Sequence, residues 1–318
     1  MNTTNKCVHA LKISQMKRRD FIMTTGMGAL AFSVSPGMAC SKDIKTAAEL
    51  NAFLRSLYHI DEPSCDRIIA GNPETIIKKV GTVWMPYLGT LKRAVAQGVN
   101  VLIVHEPTFY SHWDLDVQKY KIQSYYDKPS PAKEQYISFV EEKKKWIEDN
   151  NLVIIRSHDV MDIVPEFGMP FALGQKLGYT DIIRSRSYYN VYGTETDTAR
   201  NIAAKIAGKL KDFGLPGVAF YGDPDRSVSS VGIGTGCICD PQEFADMQPD
   251  LYVAVDDKVR AWIHGTWAED TGIPLVVINH GTSEENGMRL LNDFLKKQFP
   301  YIEFVHFQQG CSYQWINV

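Results

Sequence analysis

Three apolar runs of strand length in this chain each end in a histidine with a carboxylate close behind. Val99-Asn100-Val101-Leu102-Ile103-Val104 leads into His105-Glu106-Pro107, and Leu152-Val153-Ile154-Ile155 leads into His158 and Asp162. Leu275-Val276-Val277-Ile278 leads into Asn279-His280, with Glu284 four residues on. One histidine after a strand is ordinarily a hydrogen-bonding loop residue, but three strand ends that each supply an imidazole and a carboxylate point to a shared metal site. Such mixed donors suit borderline or harder divalent ions: zinc, manganese or iron. A carboxylate has two oxygens and can bridge two ions, and a two-metal site makes water acidic enough to act as a nucleophile near neutral pH. Glu284 lies one helical turn beyond His280, where both can face one crevice.

Spacing excludes several other chemistries. Five residues separate Glu106 from His112, Pro107 among them, so this is not the helical His-Glu-x-x-His of zinc peptidases. There is no Gly-x-Ser-x-Gly elbow and no phosphate loop, and Gly232, Gly234 and Gly236 complete no dinucleotide fingerprint and read as tight turns. Cys237 and Cys239 are one residue apart, which rules out a zinc knuckle; with Cys65 and Cys311 they read as buried thiols. His306 reads as a strand residue, and His59 and His264 as core or surface residues in helix-like surroundings. The six tryptophans are scattered, and Glu141-Glu142-Lys143-Lys144-Lys145 reads as a solvated helix face.

The elements that must position the histidines can be read from periodicity. Strands are predicted at Val80–Met85, Val99–Val104, Leu152–Ile155, Val218–Tyr221, Val231–Ile233, Leu251–Val255, Leu275–Ile278 and Phe304–Phe307. Helices are predicted at Leu88–Ala96, Pro131–Asp149, Phe171–Leu177, Thr198–Leu210, Lys258–Glu269 and Glu284–Phe299, and Thr46-Ala47-Ala48-Glu49 reads as a capping box opening another through Leu57. Near-continuous apolar strands between helices imply an α/β protein with mainly parallel or mixed sheets covered by helices. Functional groups then belong at the carboxyl ends of the strands.

The 318 residues carry a formal charge of −3, which offers no basic surface for nucleic acid. Residues 1–40 hold +4 of charge, so the remainder holds −7. Arg18-Arg19-Asp20-Phe21-Ile22 resembles a twin-arginine export signal, followed by a short apolar stretch from Gly26 to Val34 and a small-residue boundary near Ala39-Cys40. Cys40 stands in a degenerate lipobox and is a candidate lipid anchor, and Met16 is an alternative start. The protein is therefore expected to be exported, either periplasmic or membrane-anchored facing the periplasm, and the twin-arginine route would allow metal loading before export.

Residues 46–310 resemble the dinuclear-metal-centre proteins, the GTP cyclohydrolase I type 2-like or Ngg-interacting-factor-three-like family. The resemblance rests on Gly98 to Pro107, on Ser157-His158-Asp159-Val160-Met161-Asp162 to Gly168, and on Asn279-His280-Gly281-Thr282-Ser283-Glu284. It implies two lobes, roughly 41–180 and 181–318, around a central cleft with two divalent ions. Carried over position by position, the metal ligands are His105, Asp162, His280 and Glu284, with Glu284 the bridge. Glu106 stands where many members have a second histidine and either holds one ion or assists the attacking water, and nearby His112 could supply the missing imidazole. Glu106 and His112 are thus the candidate general bases. Two further departures are Ala254-Val255-Asp256 in place of Thr-Gly-Glu, and Asn279 in place of glycine. The resemblance also implies a homo-oligomer, often hexameric. Two functions fit: a metal-dependent hydrolase acting on an unidentified small molecule, for which export disfavours cytosolic GTP, or a metal-dependent binding or assembly protein without turnover.

Overall fold

The computed structural model describes residues 43–316, except 111, 113, 115–130, 187, 238 and 243–244. The readings of an export signal and of a lipid anchor at Cys40 fall outside the described residues.

Two mixed sheets carry the fold. The first has the order β1 (Ile68–Ala70), β4 (Val153–Arg156), β3 (Val101–Val104), β2 (Lys79–Val83), β11 (Glu303–His306). Its last four strands are mutually parallel, and β1 runs antiparallel to β4. Every residue of β3 and β4 is buried, the signature of strands covered on both faces. Alternate side chains enter different cores. Val101, Ile103, Val153 and Ile155 pack with α1 (Ala47–Ser56) and α8 (His280–Gln298) through Leu50, Leu54, Leu291 and Leu295. Leu102, Val104, Leu152 and Ile154 pack with Leu91 of α2 (Leu88–Ala96) and Val140 and Ile147 of α3 (Pro131–Asp149). Two short helices, α4 (Asp159–Ile163) and α5 (Met169–Leu177), come after β4.

The second sheet has the order β5 (Ile182–Arg186), β6 (Tyr189–Thr198), β8 (Ser227–Gly234), β9 (Leu251–Val255), β10 (Leu275–Ile278), β7 (Ala219–Tyr221). Only its β8–β9 and β9–β10 pairs are parallel. One face packs on α5 and on α6 (Ala199–Leu210) through Leu173, Ile202 and Ile206, and the other meets Ala268 of α7 (Thr266–Thr271). The sheets are thus mixed, with antiparallel edges added by β1, β5, β6 and β7.

Several local expectations need correction. The helix predicted over Lys258–Glu269 is a π-helical turn, Ala261–Gly265, leading into α7. The last long helix begins at His280 rather than Glu284, because the Asn279 side chain accepts the Thr282 N–H as its N-cap. Gly232 and Gly234 lie inside β8; only Gly236 of the three takes a left-handed turn, at φ +68°. Cys65 and Cys239 are buried, but Cys237 is exposed and Cys311 half-buried.

Candidate metal centre

The parallel β2, β3 and β4 end side by side, which brings Trp84, His105, Glu106, Ser157 and His158 to one rim of the first sheet. The first turn of α8 is laid across that rim. Its approach requires glycine at 281, where a Cβ would sit 2.8 Å from the Trp84 ring and 2.5 Å from the Gly310 carbonyl oxygen. From β8 the chain turns in at Gly236, where a Cβ would stand 2.7 Å from Glu284 Oε1.

All five predicted ligands converge here and are buried: His105 is 0% exposed, Glu284 1%, Asp162 6%, Glu106 7% and His280 8%. His105 Nε2 lies 3.3 Å from Glu284 Oε2 and 3.6 Å from Asp162 Oδ1. His280 Nε2 lies 3.0 Å from the same Glu284 oxygen and 3.1 Å from Glu106 Oε1. Glu284 Oε2, which also accepts the Trp84 Nε1 proton at 2.8 Å, therefore faces both rings. Each ring's Nε2 is buried near carboxylate oxygens without meeting them in hydrogen-bond geometry.

The opposite edges of the two rings are fixed. His105 Nδ1 is 3.2 Å from the Ser157 carbonyl oxygen, which can only accept, and His280 Nδ1 is 2.7 Å from Asp257 Oδ2. Each Nδ1 must carry the proton, so the neutral ring presents its Nε2 lone pair to the cluster. That is how imidazole ligands are commonly oriented in metal sites, with an acceptor behind the ring. Asp256, beside Asp257, accepts the His280 backbone N–H at 3.0 Å and the Asn279 side-chain amide.

The electrostatics show what the cluster lacks. Burial favours the neutral His105 ring, yet Glu284, then Asp162 and Glu106, outweigh it and carry the pKa up to about 9. His280 is raised as well against its own burial, chiefly by Glu284. Burial opposes ionisation of Glu106, but its contacts with His280 hold it at about 2, whereas burial carries Asp162 up to about 6. Three carboxylates in so little solvent thus draw positive charge to the two Nε2 positions, as protons or as metal ions. Nε2 lone pairs facing shared carboxylate oxygens fit divalent ions.

His158 joins the site beside His105, its ring stacked at 4.5 Å and its Nδ1 3.4 Å from Asp162 Oδ2. The same nitrogen lies 3.0 Å from Asp159 Oδ1, and Asp159 also accepts from Ser64 Oγ, Cys65 N–H and Cys65 Sγ. Two triads could each hold an ion around His158: His105–His158–Asp162, and Cys65–His158–Asp159. A third triad is His105–Glu106–Glu284. Burial pushes the Cys65 thiol up, away from the thiolate. His112 stands at the edge of the site, exposed, its ring edge-on to His158 at 5.3 Å. Partial burial and then the Arg156 guanidinium lower its pKa to about 4, leaving it neutral at pH 7. Arg156 itself is 1% exposed, donates Nε–H to the His105 carbonyl oxygen, and has Nη2 4.0 Å from Glu106 Oε2.

Trp84 and Asp257 are site residues that the sequence alone does not single out, and Gly236 is read there only as a tight turn. Each is a lone residue joined to the cluster by folding alone. For Asp257, the departure one residue earlier at Asp256 is the nearest signal.

Two mixed sheets clothed in helices, with strand ends and one helix start meeting in a buried His/carboxylate cluster, define a mixed α/β protein with a candidate metal centre. The family model for Duf34/NIF3 (NGG1p interacting factor 3) matches residues 130–310, more than half of the chain, and the chain belongs to that family. A "GTP cyclohydrolase 1 type 2 homolog" of Chlamydia pneumoniae is 24% identical over 233 residues, covering 72% of this chain and 84% of that protein. Among solved structures, a Staphylococcus aureus hypothetical protein superposes with a TM-score of 0.68 at 17% identity, covering 86% of this chain and 100% of its own. A Bacillus cereus protein related to NIF3 gives 0.65 at 12% identity over 86% of this chain and 100% of its own. At such identities these structures speak to the fold.

Proposed function

We propose that this protein is a metal-dependent hydrolase that holds two divalent ions, zinc, manganese or iron, on His105, Glu106, Asp162, His280 and Glu284, with His158 beside them. The observation that carries this reading is the pair of buried Nε2 atoms, on His105 and His280, facing one oxygen of Glu284 at 3.3 and 3.0 Å. Bound divalent ions supply Lewis acidity and acidify water. Glu284, whose Oε2 faces both rings, would hold the ions together through its carboxylate. His105 and His280 donate Nε2 with their tautomers fixed from behind by Ser157 and Asp257. Glu106, ionised and 3.1 Å from His280 Nε2, would either help to hold one ion or take a proton from the attacking water. His112, neutral and exposed, is the second candidate for that proton.

The substrate in this reading is a small molecule met outside the cytoplasm, in line with the twin-arginine-like sequence at Arg18-Arg19, and the protein works as a homo-oligomer, a hexamer by family resemblance. The name of the Chlamydia relative is in keeping with a hydrolytic activity. The near-complete burial of His105 and Glu284 favours one other reading, a closed metal site that organises a ligand pocket or an assembly without turnover. Elemental analysis of the purified protein, together with assays on amide, lactam, phosphoester and nucleotide panels, separates the two. Two ions with turnover supports the hydrolase, full metal with no turnover on any panel supports the binding protein, and absence of metal overturns both.

A further inference from the structure

Beside the cluster lies a cavity of about 240 Å³ whose walls include Asp240, Asp257, Lys258, Arg260 and His264. Asp257 belongs to both places: it lines the cavity, and its Oδ2 is 2.7 Å from His280 Nδ1. Across Asp257 the cavity therefore meets the Nδ1 edge of His280, the back of the ring whose Nε2 faces the cluster.

Its wall holds two carboxylates, two cationic side chains and the His264 imidazole, and they are not paired one to one. Asp240 lies 3.2 Å from Lys258 Nζ and 3.3 Å from His264 Nε2. The His264 Nδ1 accepts the Arg260 backbone N–H at 2.9 Å, so its proton sits on Nε2, toward Asp240. Asp257 is engaged with His280. Both acids thus have partners, while the Arg260 side chain has none among the described residues. Arg260 is also the residue at which the π-helical turn Ala261–Gly265 starts. Its carbonyl oxygen accepts N–H groups from Ile263, His264 and Gly265, which fixes the backbone that carries the guanidinium. Wide turns of this kind recur at functional sites.

We propose that this cavity takes the anionic end of the substrate, a phosphate or carboxylate group, on the Arg260 guanidinium with Lys258 beside it. A planar guanidinium fork matches either anion with two parallel hydrogen bonds. The inference rests on the hydrolase reading for the chemistry at the other end of the substrate, but the anion site itself is independent of turnover.

The test is calorimetric titration of the purified full-length protein with inorganic phosphate and, separately, with malonate, to tell the two anion types apart. Arg260→Gln, Glu284→Gln and the surface control Lys92→Gln are titrated alongside. Arg260 is exposed and its exchange leaves the core intact, so the variant tests binding rather than folding. At least one anion should bind, and Arg260→Gln should weaken it about 10-fold or more, the scale of a charge-assisted hydrogen bond. Glu284→Gln and Lys92→Gln should bind as the parent does. Loss of binding in Glu284→Gln with retention in Arg260→Gln would put the anion on the metal ions and overturn the cavity site while favouring the metal reading. Binding of neither anion to the parent would overturn the cavity site alone, since metal content is measured separately.

Discussion

Two glutamates stand side by side in the first turns of α8, both buried, and the protein closes only one of them. Glu285, 0% exposed, receives His306 Nε2 at 2.6 Å on Oε1 and the backbone N–H groups of Gln309 and Gly310 at 3.1 and 2.8 Å on Oε2. Glu284, one residue earlier and about 100° around the helix, has Trp84 as its one donor in hydrogen-bond geometry among the described residues. The two imidazole nitrogens nearest to it are left unbonded. Burial of a carboxylate is therefore not what marks a ligand site. The mark is a buried donor set that the chain itself leaves open, since an unpaired buried polar group is costly unless something else completes it.

The largest expected effect tests that contrast directly. In the proposed two-ion reading, Glu284→Gln keeps size and removes the charge that would hold two cations together, so metal content should fall from two ions toward one or none. Glu285→Gln should keep its metal and instead lose about 1–3 kcal/mol of stability, the cost of disturbing a satisfied buried network. Metal analysis and denaturant unfolding on both variants decide it. Equal metal content in the two would break the comparison.

Glu106→Gln comes next. If Glu106, 3.1 Å from His280 Nε2, serves as the base, much of the metal should remain, while turnover on any substrate found in the panels should fall ~10²–10⁴-fold. An unchanged rate would move the proton to His112.

The open half of this comparison is more legible in the sequence than the closed half. The runs that form β3, β4 and β10 are readable because they are almost wholly buried, and the residues just beyond them, His105, Glu106, Asp162, His280 and Glu284, are readable as strand-end chemistry. The Thr46–Glu49 capping box forms as expected. The closed half is hidden, since Glu285, His306, Gln309 and Gly310 meet only after β11 returns to the first sheet beside β2. β5 escapes a reading of apolar runs because all five of its residues are exposed, and β6 because its second half is Gly193-Thr194-Glu195-Thr196-Asp197-Thr198, polar and irregular in pairing. The start of α8 is expected too late because His280 to Ser283 offer no apolar period, although Asn279 is a good cap. The π-helical turn has no periodic pattern that a reading of apolar spacing would catch.

Lys143 extends the contrast to a cation closed by the chain. Read from sequence as part of a solvated face, it is 6% exposed and donates Nζ to the Thr108 carbonyl oxygen at 2.7 Å. Burial lowers its pKa to about 8 despite Asp114 nearby, against about 10.4 in the unfolded chain. The charged form is thus disfavoured in the fold, and the penalty is fully present below pH 8. It fades between pH 8 and 10.4, where the unfolded chain binds the extra proton, and is gone above. Relative to Lys143→Met, the parent should gain on the order of 2–3 kcal/mol between pH 7.5 and 10.5. Unfolding curves at the two pH values check this, and a stability difference that does not move with pH would count against a buried charge.

The smallest expected effect concerns the group behind the open half. Asp257 does not belong to the donor set; it holds the His280 Nδ1 proton at 2.7 Å and so keeps the Nε2 lone pair turned toward Glu284. Asn at this position can still accept that proton but lacks the charge that makes the ring a better donor, and Ala removes the acceptor altogether. Metal affinity, measured by competition with a chelator, should fall ~10-fold in Asp257→Asn and toward ~100-fold in Asp257→Ala, while the stoichiometry at saturating metal stays at that of the parent. His105 offers no matching variant, because its acceptor is the Ser157 backbone carbonyl. It should hold its ion in both variants and keep one metal in place as an internal reference. If Asp257→Ala instead loses a whole ion at saturation, as expected for Glu284→Gln, Asp257 is itself a ligand, and the line between the open cluster and the residues that brace it runs one residue farther out.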